Sequence, residues 1–108
     1  MTEQVPASTL REWTKLLRDG LGLVAPVRVR RKRLKDAWGT CSAVLGDDGR
    51  IAYFSIKLDP RLCEGGLFLA LVHEMAHAAS WGSHNSLDHD VAFGVAYARA
   101  FTILSEEA

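Results

Sequence analysis

Apolar residues recur at helical spacing near the start of the chain. Leu10, Trp13, Leu16 and Leu17 share one face. They lie between Ser8, which can cap a helix, and Gly20 and Gly22, which can stop one. The spacing predicts a first helix over residues 8 to 20. The period then changes. Across residues 24 to 34, Val27 and Val29 alternate with Arg28 and Arg30, the pattern of a strand with one wet face. Residues 38 to 45 and 51 to 58 read as two further strands. Gly46-Asp47-Asp48-Gly49 between them reads as a tight turn, which makes the two an antiparallel hairpin. Asp59-Pro60 ends the third strand, because proline has no N–H to give to a ladder. Residues 67 to 80 are apolar on nearly every side, the pattern of a buried helix. Residues 81 to 87 read as a loop. Ser86 or Asp88 can cap a last helix, with Asp90 in its first turn. Val91, Phe93, Tyr97, Ala100, Phe101 and Leu104 form its apolar face. The expected order is α-β-β-β-α-α: an α+β fold with a small three-stranded sheet and a buried central helix, in one domain over residues 1 to 108.

The strongly polar residues of the buried run are His73, Glu74 and His77, an H-E-x-x-H motif. Residues four apart lie about 40° apart around a helix axis and one turn along it. Both imidazoles then point the same way and can hold one metal ion. Glu74 is offset by one residue, so it flanks the site and can take a proton from a metal-activated water. Chance produces this motif in on the order of one in several hundred chains of this size. A chance copy has no reason to fall in an apolar helix, where two histidines and a glutamate are costly unless paired or metal-bound. A catalytic zinc needs a third protein ligand and an open position. His84, Asp88, His89 and Asp90 are the downstream candidates. His84 falls in a Gly/Ser/Asn loop and His89 at a helix start, where a ligand is held more rigidly, so His89 is favoured over His84.

Three segments resemble the SprT-like zinc metallopeptidases, the group that includes the Spartan DNA–protein crosslink proteases. Trp38-Gly39-Thr40-Cys41-Ser42 is similar to that group's W-G-[ST]-C-S strand. Leu71-Val72-His73-Glu74-Met75-Ala76-His77-Ala78 looks like its active-site helix, and His89-Asp90-Val91-Ala92-Phe93 resembles its H-x-x-x-F ligand motif. The resemblance spans residues 38 to 93. It implies a minimal zincin-like domain with Zn2+ held by His73, His77 and His89, and Glu74 as catalytic base. Zincin architecture further implies that an edge strand beside the active helix receives the substrate as an added strand. In the resemblance Cys41 belongs to the strand and not to the metal, and it reads as a small buried thiol. Trp38 reads as packing.

Formal net charge is zero, which leaves no global field to draw a partner. The balance hides an asymmetry: residues 1 to 61 carry 12 Lys/Arg against 7 Asp/Glu, and residues 62 to 108 carry 1 against 6. Arg28, Arg30, Arg31, Lys32, Arg33 and Lys35 form a basic run that can contact DNA phosphates. The same run also reads as an edge strand protected from aggregation by charge. The two cysteines make neither a disulfide framework nor a cysteine zinc site. With no visible signal peptide, they point to an intracellular, reducing, cytoplasmic location. No membrane segment is expected: the uncharged stretch before the motif, residues 65 to 72, is far short of a span.

These features predict a zinc metalloendopeptidase that hydrolyses peptide bonds with metal-activated water, on a protein or peptide substrate that includes DNA-associated proteins. A second reading is a repressor-cleaving regulatory protease of phage type, in which Asp88 or Asp90 replaces His89 as third ligand. A third is a non-catalytic nucleic-acid-binding module whose zinc is closed by His73, His77, His84 and His89. Tyr97, Tyr53 and His84 are the candidates for oxyanion stabilisation.

Overall fold

The computed structural model describes residues 5–82 and 89–107. Its elements follow the expected order: α1 (Ala7–Leu21), β1 (Val27–Arg31), β2 (Gly39–Leu45), β3 (Ile51–Leu58), α2 (Glu64–Ala79) and α3 (Val91–Glu107). The helix ends differ from the sequence reading. Pro6, not Ser8, opens α1: its φ of −59° is already set by the ring, and its carbonyl accepts the Leu10 N–H at 3.1 Å. Gly22 closes α1 at φ 71°, where Leu23 N–H reaches back to the Arg18 carbonyl at 3.0 Å and satisfies an orphan acceptor. Helix α2 begins three residues earlier than its apolar run. Cys63 is its N-cap, and the thiol accepts the Gly66 N–H at 3.4 Å. Asp90 caps α3, its carboxylate accepting the Phe93 N–H at 2.9 Å. Ser86 and Asp88, the caps expected from sequence, lie outside the described residues.

The strand order is β1-β3-β2. β2 and β3 form the expected antiparallel hairpin, and β1 pairs with β3 in parallel. The pleat sends Val27, Val29, Phe54, Ile56, Leu58, Cys41 and Ala43 to one face, paired in register as Val27↔Phe54, Val29↔Ile56, Cys41↔Ile56 and Ala43↔Phe54. The helices cover this face. α1 lies against β1, and α2 lies against β2 and β3. Leu17, Ile56, Leu58, Leu71, Met75 and Leu104 are fully buried where the two layers meet. Thr14 is tolerated there because its hydroxyl donates to the Leu10 carbonyl at 2.7 Å.

Two positions of the expected apolar face of α3 are not buried: Val91 is 83% exposed, and Phe101 is 42% exposed with its ring edge-on to Phe68 at 6.0 Å, while Ala96 takes a buried place. A helix packed between α1 and α2 buries two narrow stripes, and these two positions lie at their margins. The side chain of Asp59 was read only as part of a strand stop. It is fully buried and forms a salt bridge with Arg61 at 2.7 Å. It also accepts the Leu34 N–H at 2.9 Å, while its own N–H donates to the Trp38 carbonyl at 2.9 Å. These bonds tie the segment between β1 and β2 to the end of β3. They also fix where β2 enters the sheet.

Candidate metal centre

Helix α2 is buried on most sides, so its polar residues have defined surroundings. His73 is half-buried and His77 is buried. Their ring centroids are 4.9 Å apart, as the four-residue spacing requires. His89 comes from the residue before the α3 cap. The packing of α3 on α2 carries it to the same place, and one ring nitrogen from each histidine lies within 4.8 Å of the other two. The His77 and His89 Nε2 atoms are 3.3 Å apart. Two nitrogens each bound at 2.0–2.1 Å to one tetrahedral ion stand about 3.4 Å apart. The donor set and the spacing therefore fit a metal of zinc type. Burial, and then the neighbouring His77 and His89, push the His73 pKa down. This favours the neutral imidazole that a metal needs.

Phe93, which the sequence places on the apolar face of the last helix and, by resemblance, in the H-x-x-x-F motif with His89, touches all three histidines. Its ring lies 5.1 Å from His73, 4.6 Å from His77 and 4.6 Å from His89, stacked on the last. One buried ring thus limits the tilt of all three imidazoles. The signal was in the sequence, four residues after His89, but its contact with both histidines of α2 depends on helix packing.

Glu74 points from α2 toward β2. It is 7% exposed, and burial pushes its carboxyl up to about 7. Gly39 faces it. A Cβ at residue 39 would stand 3.0 Å from Glu74 Oε2, 3.1 Å from Glu74 Cγ and 3.2 Å from Leu58 Cδ2. Glycine is what leaves room for the carboxylate between helix and sheet. Burial, and then the Glu74 charge, push the Cys41 thiol up to about 12, so it stays protonated at neutral pH. Cys41 is half-buried against the core, as a structural thiol.

Beside His73 and Glu74 opens a cleft of about 430 Å³, lined also by Trp38, Leu62, Leu69 and Tyr97. Trp38 was expected to be packing within the second strand. It lies before β2, is 56% exposed and forms part of the cleft wall, with the Arg61 guanidinium 5.3 Å from its ring. Its carbonyl accepts the Asp59 N–H at 2.9 Å, just beyond the first regular pair of the hairpin, Gly39↔Leu58.

The other sequence candidates separate. Asp90 is engaged as the α3 cap, and His84 and Asp88 lie outside the described residues. Tyr97 lines the cleft, with its ring 6.3 Å from His73. Tyr53 is on the opposite face of the sheet under Arg28, 3.9 Å from the guanidinium, and cannot serve the same site. The basic run is divided. Arg28 and Arg30 are exposed on the uncovered face, as are Lys32, Arg33 and Lys35 beyond it. Arg31 turns inward and donates to the Val5 carbonyl.

No helix among the described residues is long and apolar enough to cross a membrane. No protein-family model and no curated protein matches the chain. Among solved structures it is similar to the crystal structure of the metallopeptidase zymogen of Pyrococcus abyssi abylysin. The identity is 26% and the TM-score 0.59, over 90% of this chain and 86% of that one. The chain thus has an α+β fold like that of a metallopeptidase zymogen, with three histidines from α2 and the start of α3 gathered beside a buried glutamate.

Proposed function

We propose that the chain is a zinc-dependent endopeptidase of SprT-like type. The observation that carries this reading is the convergence of His73, His77 and His89 next to buried Glu74, at the side of an open cleft. The likeness to a metallopeptidase zymogen supports it. The three histidines would hold the ion. Zinc bound by three protein ligands supplies a Lewis acid that lowers the pKa of a water to about 7 and polarises a carbonyl.

The rest of the reaction belongs to the chain's own groups. Glu74 accepts one proton from the attacking water as the new C–O bond forms. It returns that proton to the departing amine nitrogen as the C–N bond breaks. Burial raises its proton affinity toward neutrality, which suits a group that must both take and give. Trp38, Leu62, Leu69 and Tyr97 offer apolar surface to the substrate side chains. β2 is an edge strand whose first residue lines the cleft, so an extended substrate adds to it beside Glu74. An acidic third ligand from Asp90 is disfavoured, because its carboxylate already holds the α3 N-terminus.

Elemental analysis of the purified chain and cleavage of fluorescein-labelled casein test the reading together. The chain should hold about one equivalent of zinc. Glu74→Gln should keep the metal and lose cleavage, and His89→Ala should lose both. Full cleavage by Glu74→Gln, or full zinc content in His89→Ala, overturns the assignment.

A further inference from the structure

A second groove lies away from the histidines. A groove of about 590 Å³ runs between α1 and β1, at the sheet edge opposite β2. Its apolar part is made by Leu10, Val27 and Val29, and Arg11, Lys15 and Arg31 add positive charge. No carboxylate lines it among the described residues.

Among the described residues, one side of the β1 backbone has no strand beside it. Lys32 N–H donates to the Leu58 carbonyl at 3.0 Å, and the Pro26 carbonyl accepts the Phe54 N–H at 2.9 Å. A parallel ladder engages alternate residues, so the even-numbered positions of β1 face β3. The N–H and C=O groups of Val27, Val29 and Arg31 therefore point to the open edge. Among the described residues no strand pairs with that edge. The side chains of the strand divide by face. Val27 and Val29 turn toward the groove, and Arg28 and Arg30 turn to the exposed face.

We propose that this edge binds an extended acidic–apolar peptide segment of a partner protein, added to the sheet as a fourth strand beside β1. An added strand keeps the pleat of its neighbour, so its alternate side chains share faces with those of β1. Apolar residues of the segment seat on Leu10, Val27 and Val29. The acidic residues between them lie beside Arg28 and Arg30, with Arg11 and Lys15 at the groove side. The unpaired N–H and C=O groups together select a peptide over a phosphate backbone, because a phosphodiester has no donor for the carbonyls. The alternating Val-Arg-Val-Arg sequence is then complementary to Val-Glu-Val-Glu. This site lies at the far sheet edge from the cleft of α2 and stands independently of the proposed peptidase activity.

The test uses the full chain and a fluorescein-labelled heptapeptide of alternating Val and Glu, with both termini blocked. Mass spectrometry checks that the probe stays intact. The controls are the same peptide with Lys in place of Glu, and a short oligothymidylate. The Glu peptide should bind saturably and the Lys peptide should not. The double variant Arg28→Glu/Arg30→Glu should weaken binding about tenfold or more, as two attractive cross-strand pairs become repulsive. Hydrogen exchange at the Val27, Val29 and Arg31 amides should slow on binding. Equal binding of the Glu and Lys peptides, or bound Glu peptide without protection at those three amides, overturns the proposal. So does binding of the oligothymidylate without binding of the Glu peptide.

Discussion

Replacing Gly39 with alanine adds one methyl group between the sheet and the proposed catalytic base. The new Cβ would stand 3.0 Å from Glu74 Oε2 and 3.1 Å from Glu74 Cγ. Carbon atoms in contact prefer about 3.5–4.0 Å, so the carboxylate must retreat by about 0.5 Å. Its room is small, since Glu74 is 7% exposed and Leu58 Cδ2 is 3.2 Å from the same Cβ. Overpacking of this kind costs about 1–3 kcal/mol. Loss of glycine's freedom in the unfolded chain offsets about 0.4–1 kcal/mol. The net loss of about 1 kcal/mol lowers Tm by about 4–8 °C. A domain with about 5 kcal/mol of stability stays almost wholly folded after that loss. Unfolding therefore does not account for a change in rate. A misplacement of about 1 Å costs about a hundredfold in rate, so half of it should cost about tenfold in kcat. The assays are zinc content, thermal melting and casein cleavage on the same preparation. Zinc should stay near one equivalent while cleavage falls about tenfold. Gly39→Ala with unchanged cleavage would refute the claim that β2 fixes Glu74. Loss of zinc would place the damage at the histidines instead.

Three other outcomes are expected. Phe93→Ala removes the ring that touches all three imidazoles, and should weaken zinc affinity about 10–100-fold in a chelator competition, with Phe93→Leu intermediate. An unchanged affinity would show that the histidines orient themselves. Asp59 is held well below the usual carboxylate range, first by the Arg61 hydrogen bond and also by the Leu34 and Arg61 N–H groups. A carboxyl depressed in the folded state contributes stability above its unfolded pKa of about 3.9, and loses it as pH falls through the folded value. Asp59→Asn should therefore melt lower than the parent at pH 7, with the gap closing as pH falls below about 4; a gap that is constant with pH refutes the clamp. Iodoacetamide at neutral pH should alkylate exposed Cys63 and spare Cys41, whose thiol is pushed up to about 12. Mass spectrometry of the native chain reads this directly, and rapid labelling of Cys41 would contradict its burial beside Glu74.

The helices and strands were legible because their signals are local. Period two in residues 27 to 31 and 51 to 58, the Asp-Gly turn and the apolar run before His73 each depend on neighbours a few residues away. The ends were less legible. Pro6, Cys63 and Asp90 open helices whose boundaries the apolar pattern alone places elsewhere, because a cap is decided by one backbone torsion and one hydrogen bond. Trp38 was drawn into a strand by its apolar character. The regular strand begins at Gly39, and the one bond from the Asp59 N–H to the Trp38 carbonyl continues the β2/β3 register to its margin.

The four-residue spacing of His73 and His77 already places both imidazoles on one side of a helix, since helical geometry relates them without reference to the rest of the chain. Nothing local relates them to His89, 12 residues beyond His77. The packing of α3 on α2 and the wedge of Phe93 make that connection. The same division holds in the sheet. Alternation of Val with Arg already assigns Arg28 and Arg30 to the wet face. Which helix covers Val27 and Val29 is decided only by packing, and it is α1. The parallel pairing of β1 with β3, which leaves the other β1 edge without a strand among the described residues, is likewise a tertiary choice, because a strand's side chains carry no record of which neighbour its amides will meet.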